Sequence, residues 1–393
     1  MNTSILNTDI QDFINLNLKS DISSLLLKGI PFATIDQKLV IEQIEAKKRC
    51  EKKLPSWFNT KNIYYPNKLN IEQTSSEITA KYKADLVSGQ SLIDITGGFG
   101  VDAYYFSKQI KAVTHCEINT ELSEIVKHNY ATLKASNIDC KNEDGIAVLK
   151  QSDSIFDWIY VDPSRRDDSK NKVFLLSDCA PDVKTFKGLF FKHSKNVMIK
   201  TSPLLDISAT KNDLEYVKEL HVVAVNNEVK ELLWILERDY EGELKIKTIN
   251  LTKSDNESFD FNYSEESKVE VEFSEPLTYL YEPNSAVLKA GAFNILANTL
   301  KVNKLSKHSH LYTSNELINF PGRRFEVDKV IPFNKKEFAK SGINKANVTT
   351  RNFPLSVNDI RKKLKIKDGG QSYLFFTTDR INSKIIIVCS KVM

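Results

Sequence analysis

A short apolar strand, a carboxylate and a glycine-rich turn follow one another in residues 91–103. In an open α/β sheet such a turn lies at the carboxyl edge, where these sheets bind their ligands. Glycine lets the backbone approach a ligand that a side chain would block. We therefore expect a site for a nucleoside-containing cofactor, lined by Asp94, Thr96, Gly97, Gly98 and Gly100.

Two classes of cofactor fit this turn. Gly98 and Gly100, with Ala103 in the third position, match the relaxed dinucleotide pattern of nicotinamide and flavin enzymes. Asp94 instead favours a cationic, amino-bearing ligand, because a carboxylate is badly placed beside a pyrophosphate. The pattern acid-x-Thr-x-Gly-x-Gly resembles the first motif of class I S-adenosylmethionine (SAM) methyltransferases. An ordinary strand-to-helix turn is the structural alternative.

The ends of the next two strands also carry acids. Glu117 ends the second strand about 20 residues after Asp94, where a Rossmann-type unit places its ribose-binding acid. Asp144 and Gly145 follow the third strand and open a helix. In class I methyltransferases an acidic residue at that point faces the adenine amino group. The resemblance therefore implies that Glu117 holds the ribose hydroxyls and that Asp144 faces the adenine.

The fourth strand, residues 156–161, leads directly into Asp162 and Pro163. An acid followed by proline at this point resembles the catalytic motif of nucleic-acid amino methyltransferases, and a dehydrogenase has no special need for it. Asp162 and a carbonyl beside Pro163 would accept the N–H bonds of an exocyclic amine and aim its lone pair at the methyl group. Proline suits such a turn because it fixes φ and donates no hydrogen bond. A plain strand-terminating turn is the alternative.

The residues after Pro163 depart from the amino methyltransferase pattern. Ser164 and Arg165 stand where a second proline and an aromatic ring are usual. An arginine plane stacks on a base or holds a phosphate, although Arg165 and Arg166 also fit a solvated cluster with the acids that follow. Asp-Pro-x-Arg resembles methylases of uracil C5 as well. Those need a cysteine in the loop after the fifth strand, and the loop after residues 196–200 has none.

The composition bounds the class of protein. With 393 residues and 41% hydrophobic side chains, the chain is long enough for two or three domains. No stretch approaches the roughly 18 apolar residues that cross a bilayer, and the first residues lack the layout of a signal peptide. The five cysteines are scattered without a C-x-x-C pair. We expect a cytoplasmic protein with no membrane segment and no metal site.

The charge is concentrated at the end of the chain. Residues 321–393 carry 16 lysines and arginines against 6 acids, whereas the preceding residues are acidic overall. A small basic domain attached to an acidic one suggests an anionic partner, RNA before membrane. A solvated helix end is the alternative for the densest cluster, residues 361–367.

The spacing of apolar residues and the positions of glycine and proline predict an α/β protein with a doubly wound, Rossmann-like core. Helices are expected over residues 9–28, 36–53 and 284–300. Strands at 221–226 and 231–237 predict a terminal hairpin, which resembles the sixth and seventh strands of class I methyltransferases. The expected regions are an N-terminal helical region (1–70), a methyltransferase domain (71–240), a linker with extra strands (241–275), a small α+β segment (276–320) and a basic α+β domain (321–393).

The C-terminal part of the chain contains five short, unusual sequence motifs, which are called phrases below. They are Tyr281-Glu-Pro-Asn284, Lys289-Ala-Gly291, Phe320-Pro-Gly-Arg323, Arg351-Asn-Phe-Pro354 and Asp368-Gly-Gly370. Together with the Asp-Pro-Ser-Arg-Arg segment, they make the chain resemble bacterial class I methyltransferases with a C-terminal THUMP-like domain, over roughly residues 70–393. THUMP domains proper are RNA-binding modules of tRNA-modifying enzymes, so the resemblance implies an RNA substrate and SAM as methyl donor.

The sequence therefore predicts a SAM-dependent RNA methyltransferase acting on an exocyclic amino group, with Asp162, Pro163 and Arg165 at the acceptor. Two other classes stay open. The acceptor is a protein or a small metabolite in the first, and the chain binds SAM or RNA without catalysis in the second.

Overall fold

The computed structural model describes residues 1–33, 35–165, 175–253 and 255–392, with Arg165 described by its backbone alone. It divides into two compact units. The first comprises residues 1–218 with 233–241, and the second comprises residues 219–232 with 242–393.

Six helices precede the sheet of the first unit. They are α1 (Thr8–Leu16), α2 (Ile22–Lys28), α3 (Gln37–Lys53), α4 (Pro55–Asn59), α5 (Lys68–Gln73) and α6 (Glu77–Ala84), after a 3₁₀ turn at Thr3–Leu6. The single helix predicted over residues 9–28 is wrong. Asn17 ends α1, and its side chain donates to the Phe13 carbonyl and accepts from Ser20, while Asp21 caps α2. Polar side chains that bond the backbone locally thus divide the apolar pattern.

The first unit has a parallel sheet with the strand order β7-β4-β1-β2-β3. Its strands are β1 (Ser91–Asp94), β2 (Ala112–Cys116), β3 (Ile138–Lys141), β4 (Phe156–Val161) and β7 (Ser194–Thr201), and a two-stranded ribbon pairs β5 (Ser164–Arg165) with β6 (Cys179–Ala180). The helices between them are α7 (Val101–Phe106), α8 (Thr120–Thr132), α9 (Gly145–Gln151), α10 (Val183–His193) and α11 (Ile207–Asp213), with a 3₁₀ turn at Leu176–Asp178. The strand order reverses between β1 and β4, the switch point at which doubly wound sheets bind ligands.

The predicted terminal hairpin is confirmed. It consists of β8 (Val217–Val225) and β9 (Glu228–Glu237), joined by Asn226 and Asn227. Both asparagines have positive φ, 50° and 65°, as a type I′ hairpin turn requires. The second half of β9 lies beside β7 in the first unit, and Trp234 donates its indole N–H to Thr201 at 3.0 Å.

In the second unit, β8 pairs in parallel with β10 (Lys245–Leu251), and β10 pairs antiparallel with β11 (Glu257–Asn262). A separate sheet has the order β13-β14-β12-β15-β18-β17-β16. Its strands are β12 (Tyr279–Pro283), β13 (Asn303–Lys304), β14 (Tyr312–Ser314), β15 (Gly322–Pro332), β16 (Lys345–Thr350), β17 (Lys367–Thr378) and β18 (Lys384–Lys391). The helices are α12 (Ser285–Ala290), α13 (Asn294–Leu300), α14 (Lys335–Ala339) and α15 (Val357–Leu364).

The single helix predicted over residues 284–300 is also wrong. Gly291, with φ of 74°, ends α12 in the left-handed conformation, and α13 begins at Asn294. Glycine adopts this conformation without a steric penalty and commonly ends helices.

The hydrophobic core of the first unit continues from the N-terminal helices to the glycine turn. Trp57 in α4 is fully buried, and its ring meets the ring of Phe99 edge to face with centroids 4.9 Å apart. This contact anchors the middle of the turn and so helps to position the site beside it. Among the described helices, none is long and apolar enough to cross a membrane.

Candidate functional site

The carboxyl ends of β1 and β4 bring Asp94, Thr96 and Asp162 together. Asp94 is buried, and its Oδ1 accepts hydrogen bonds from the Thr96 N–H at 3.0 Å and the Thr96 hydroxyl at 3.3 Å. The same hydroxyl oxygen accepts the N–H of Asp162 at 2.7 Å. Thr96 therefore ties the glycine turn to the residue that follows β4.

Asp94 belongs to a group of three neighbouring carboxylates with Asp102 and Asp162. Burial raises the pKa of Asp94 well above its ordinary range; the Thr96 N–H opposes this shift, and the charges of Asp102 and Asp162 add to it. A buried carboxylate beside two others is held at a high free energy when ionised. A cationic group placed against Asp94 would relieve that penalty.

A buried ion pair lies at the first turn of α7. The Lys83 ammonium, fully buried on α6, is 3.2 Å from Asp102 Oδ1. The hydroxyls of Ser75 and Tyr160 donate to the other oxygen of Asp102 at 2.7 and 2.8 Å. Burial opposes ionisation of Asp102, but Lys83 and Lys200 outweigh it, so that the pKa of Asp102 lies below its ordinary value.

Lys200, near the end of β7, pairs with Asp162. Its ammonium is 2.5 Å from Asp162 Oδ2, and 15% of the lysine side chain is exposed against 32% of the aspartate. Together with the Thr96 hydroxyl at its N–H, this contact fixes Asp162 from two sides. One carboxylate oxygen of Asp162 therefore has a protein cation as partner, and the side chain still reaches solvent.

The glycines of the turn allow close packing against buried rings. A Cβ on Gly97 would collide with the imidazole of His115 on β2, and one on Gly100 would collide with the Tyr130 hydroxyl on α8. The Tyr130 hydroxyl donates to the Gly100 carbonyl at 2.8 Å. Gly98 differs, because a Cβ there would meet nothing closer than 3.9 Å. Its positive φ of 56° and the open space beside it form a cradle.

Glu117 follows β2 and faces the glycine turn. Its two carboxylate oxygens accept the N–H groups of Gly98 at 2.9 Å and of Asn119 at 2.7 Å. Burial raises the pKa of Glu117, and the two N–H donors oppose that shift. Each carboxylate oxygen has a second lone pair. Glu117 can therefore accept ribose hydroxyls while it still holds the turn.

Asp144 is exposed and caps α9 by accepting the Ile146 N–H at 3.2 Å. Gly145 beside it is buried against β1, where a Cβ would collide with the carbonyl of Ile95. The glycine thus brings the start of α9, and with it Asp144, close to the strand that ends in Asp94.

Pro163 is half-buried and leads into β5. Ser164 pairs with Ala180, and Arg165 pairs with Cys179 through its backbone. The side chain of Arg165, predicted to hold the base or a phosphate, lies outside the described residues, as do Arg166 and the acids after it.

Sequence reasoning missed Asp102 and the partners of the acids at this site. Lys200 and Lys83 hold Asp162 and Asp102, and His115 and Tyr130 lie beneath the turn. A weak signal was present, since Lys200 follows three apolar residues of a buried strand and Asp102 opens an otherwise apolar helix. Charged residues in such positions are seldom left unpaired.

Family models match the C-terminal part of the chain. Residues 279–321 match a ferredoxin-like domain, and residues 322–391 match a THUMP domain-like family. A curated relative of Mycoplasma mobile, described as an uncharacterized RNA methyltransferase, is 28% identical over 92 residues, which is 23% of this chain and 25% of the relative. The chain thus spans about a quarter of that relative's length.

A crystal structure from Porphyromonas gingivalis W83, described as a "putative methyltransferase", matches the whole chain. It is 31% identical, covers 100% of this chain with 99% of its own, and superposes with a TM-score of 0.89. Since a relative above 30% identity covers the full length and the C-terminal residues match the THUMP domain-like family, the predicted resemblance is confirmed. The chain belongs to the family of methyltransferases that carry a C-terminal THUMP-like domain.

Proposed function

We propose that this chain transfers a methyl group from SAM to an exocyclic amino group of a base in RNA. One observation carries the proposal. At the switch point of the sheet, the Thr96 hydroxyl joins the buried Asp94 to Asp162, so that a cofactor acid and an acceptor acid lie on either side of one side chain.

The chemistry of the glycine turn fits SAM. Gly98 leaves open space for the ligand. Asp94 is a buried carboxylate whose ionised form a cation, such as the ammonium of the methionine part, would stabilise. Glu117 would hold the ribose hydroxyls, and Asp144 would face the adenine. Thr96, Gly97 and Gly100 would shape the turn around the methionine part. The cofactor supplies an electrophilic methyl group, and the protein positions it.

Asp162 would accept an N–H of the target amine and keep its nitrogen aimed at the methyl group. Lys200 and Thr96 fix the carboxylate, which reduces the conformational freedom lost when the substrate binds. Pro163 keeps the following turn rigid and without a competing N–H donor. Arg165 would hold the base or an adjacent phosphate.

RNA as the acceptor is supported by three observations. The THUMP domain-like match covers residues 322–391, and the curated relative is described as an RNA methyltransferase. Residues 321–393 carry 16 basic against 6 acidic side chains. A positive domain attracts a polyanion and brings it to the protein faster.

The test uses radiolabelled SAM and total RNA from cells that lack the gene, because under this proposal RNA from ordinary cells would already carry the methyl group. Wild type should label an RNA fraction. Asp162→Ala should lower the rate by about 100-fold or more, while its SAM affinity stays within about threefold of wild type. The matched control is Asp213→Ala, since Asp213 makes a surface ion pair with Lys184 in the same unit.

Asp162→Asn refines the role of the carboxylate. An asparagine keeps a carbonyl acceptor for the amine, so that retained activity supports the acceptor role, whereas complete loss indicates a proton acceptor. Label in a protein or in a small molecule, with none in RNA, would show that the acceptor is not RNA. Loss of SAM binding in Asp162→Ala would move Asp162 from the acceptor to the cofactor site.

A further inference from the structure

Three of the unusual sequence phrases meet at one buried carboxylate in the second unit. Glu282 on β12 has a side chain only 4% exposed, and two arginines bind it. Arg323 donates through Nε at 2.7 Å and through Nη2 to Oε2, and Arg351 donates through Nε at 3.0 Å and Nη2 at 2.8 Å to Oε1. Each carboxylate oxygen thus serves one guanidinium.

The rest of each phrase holds this arrangement in place. Gly322 lets β15 approach β12, since a Cβ there would collide with the Glu282 carbonyl oxygen. Phe320 stacks on Tyr281 with ring centroids 5.0 Å apart. Phe353 packs edge to face on the rings of two other phenylalanines, and the amide of Asn352 donates to Thr378. The phrases therefore build a rigid support for two arginines.

The arginines have donors left over. A guanidinium carries five N–H groups, and Glu282 takes two from each. Within the described residues neither side chain has a further hydrogen-bond partner, and 39% of Arg323 and 32% of Arg351 is exposed. Three N–H groups of each guanidinium remain, on side chains that are already fixed. Because both side chains are partly exposed, these N–H groups can donate to a ligand.

The local charge is positive. Two guanidiniums and one carboxylate leave an excess of one positive charge, within a domain that is basic overall. The positive charges also affect His310. Burial first, and then the charges of Lys304, Arg351 and His308, lower the pKa of its imidazole to about 4. Fixed arginine forks in a positive field match the tetrahedral oxygens of a phosphate.

We propose that Arg323 and Arg351, held in place by Glu282, bind a backbone phosphate of the RNA substrate; these three residues together are called the arginine clamp. The choice of RNA as the source of that phosphate rests on the proposed function. Glu282 is a positioning residue, because it orients both guanidiniums and does not itself face the anion. The clamp would hold the strand by its backbone, independently of the base that is methylated.

The test exchanges each arginine for lysine, which keeps the charge and removes the fork. Binding is measured by fluorescence anisotropy with the full chain and a labelled single-stranded RNA of about 20 nucleotides. R323K and R351K should each weaken binding on the order of fivefold to tenfold. The matched control is R380K, which alters an exposed arginine paired with Glu275 and should stay within about twofold.

The effect of Glu282→Gln on RNA affinity distinguishes unspecific charge attraction from binding by oriented arginines, because the two predict opposite changes. The exchange removes one negative charge, so that unspecific electrostatic attraction predicts tighter RNA binding, whereas loss of arginine orientation predicts weaker binding. A variant that unfolds is recognised by its thermal midpoint, and the lysine exchanges at partly exposed positions then decide alone. SAM titration of every variant should match wild type, because the clamp does not serve the cofactor.

The outcomes separate the clamp from the proposed function. Lysine variants that bind RNA as wild type does would overturn the clamp, while methylation of RNA by the same proteins would leave the function standing. A wild type that neither binds nor methylates RNA would overturn both. If inorganic phosphate, but not chloride, raises the thermal midpoint of wild type and not of the lysine variants, and RNA does not bind, a free phosphate replaces RNA as the ligand.

Discussion

Carboxylates outnumber cations at the glycine turn of the first unit, whereas guanidiniums outnumber carboxylates at the arginine clamp of the second. At the turn, Asp94, Asp102 and Asp162 share Lys83 and Lys200. At the clamp, one buried glutamate holds two arginines. With every carboxylate ionised, each of these two sets of side chains carries an excess of one charge, negative at the turn and positive at the clamp.

The two clusters differ further in how the excess charge is held. At the turn the unpaired charge belongs to Asp94, which is buried and pays a desolvation penalty that a cationic ligand would relieve. At the clamp the paired carboxylate is buried and the excess cations reach solvent. A site for a compact cation can be enclosed, whereas a site for a strand of RNA has to stay open to solvent.

The largest change in stability is expected when the Lys83–Asp102 ion pair of the acidic cluster is removed. Asp102→Asn removes the buried carboxylate that pairs with Lys83 at 3.2 Å, which should lower the free energy of unfolding by about 3–5 kcal/mol. Since the pKa of Asp102 is depressed, its contribution in wild type is present at neutral pH and is lost as the pH falls through that pKa. Urea unfolding at several pH values measures both. Asp213→Asn, at a surface pair, should change stability by less than about 1 kcal/mol.

The next effect concerns the imidazole beneath the glycine turn. Burial lowers the pKa of His115 to about 4. Because the folded protein disfavours the protonated imidazole, it keeps its full stability above the ordinary histidine pKa of 6.5. As the pH falls toward 4, the free energy of unfolding should decrease by about 3 kcal/mol in all. In His115→Phe this part of the pH dependence should vanish. An unchanged slope between pH 6.5 and 4 would mean that the imidazole is not buried in its neutral form.

Asp94→Asn should change stability and SAM affinity in opposite directions. The raised pKa of Asp94 means that its ionised form destabilises the cofactor-free protein as the pH rises through that pKa, so the variant should be more stable than wild type at neutral pH. Its SAM affinity should fall by about 10- to 100-fold, the worth of a hydrogen bond to a charged group. Calorimetric titration and thermal unfolding check the pair. A variant that is less stable and binds SAM normally would contradict the account of Asp94.

The smallest effect tests the field at the clamp without RNA. Arg351→Gln removes one of the charges that hold down the pKa of His310, so that pKa should rise from about 4. Nuclear magnetic resonance of the imidazole protons during a pH titration reports it. The pKa of His115, which burial lowers, should not change. Equal shifts of both histidines would show that the variant perturbs the fold rather than the local field.

The sequence was most informative where a feature is local. The strand ends, the Asp162-Pro163 step and the two-asparagine hairpin each depend on a few adjacent residues, and all were predictable. The breaks near Asn17 and Gly291 were missed, because the apolar pattern continues across them while capping side chains and a left-handed glycine end the helices.

The partners of the charged groups could not be predicted, since they depend on tertiary contacts. Thr96 and Asp162 are 66 residues apart, and Asp162 and Lys200 are 38 apart. The Glu282 and Arg351 phrases were recognised as unusual, but 69 residues separate these side chains, and the convergence on one carboxylate is visible only in the fold.

We propose that the glycine turn and Asp162 together direct a methyl group to an amine of RNA. Mass spectrometry of nucleosides from RNA of cells lacking the gene, treated with SAM and either wild type or Asp162→Ala, tests it most directly. We expect one nucleoside with a methyl group on its exocyclic nitrogen after wild type and none above background after Asp162→Ala. A methyl group on carbon or on the ribose, or equal methylation by both proteins, would contradict the account.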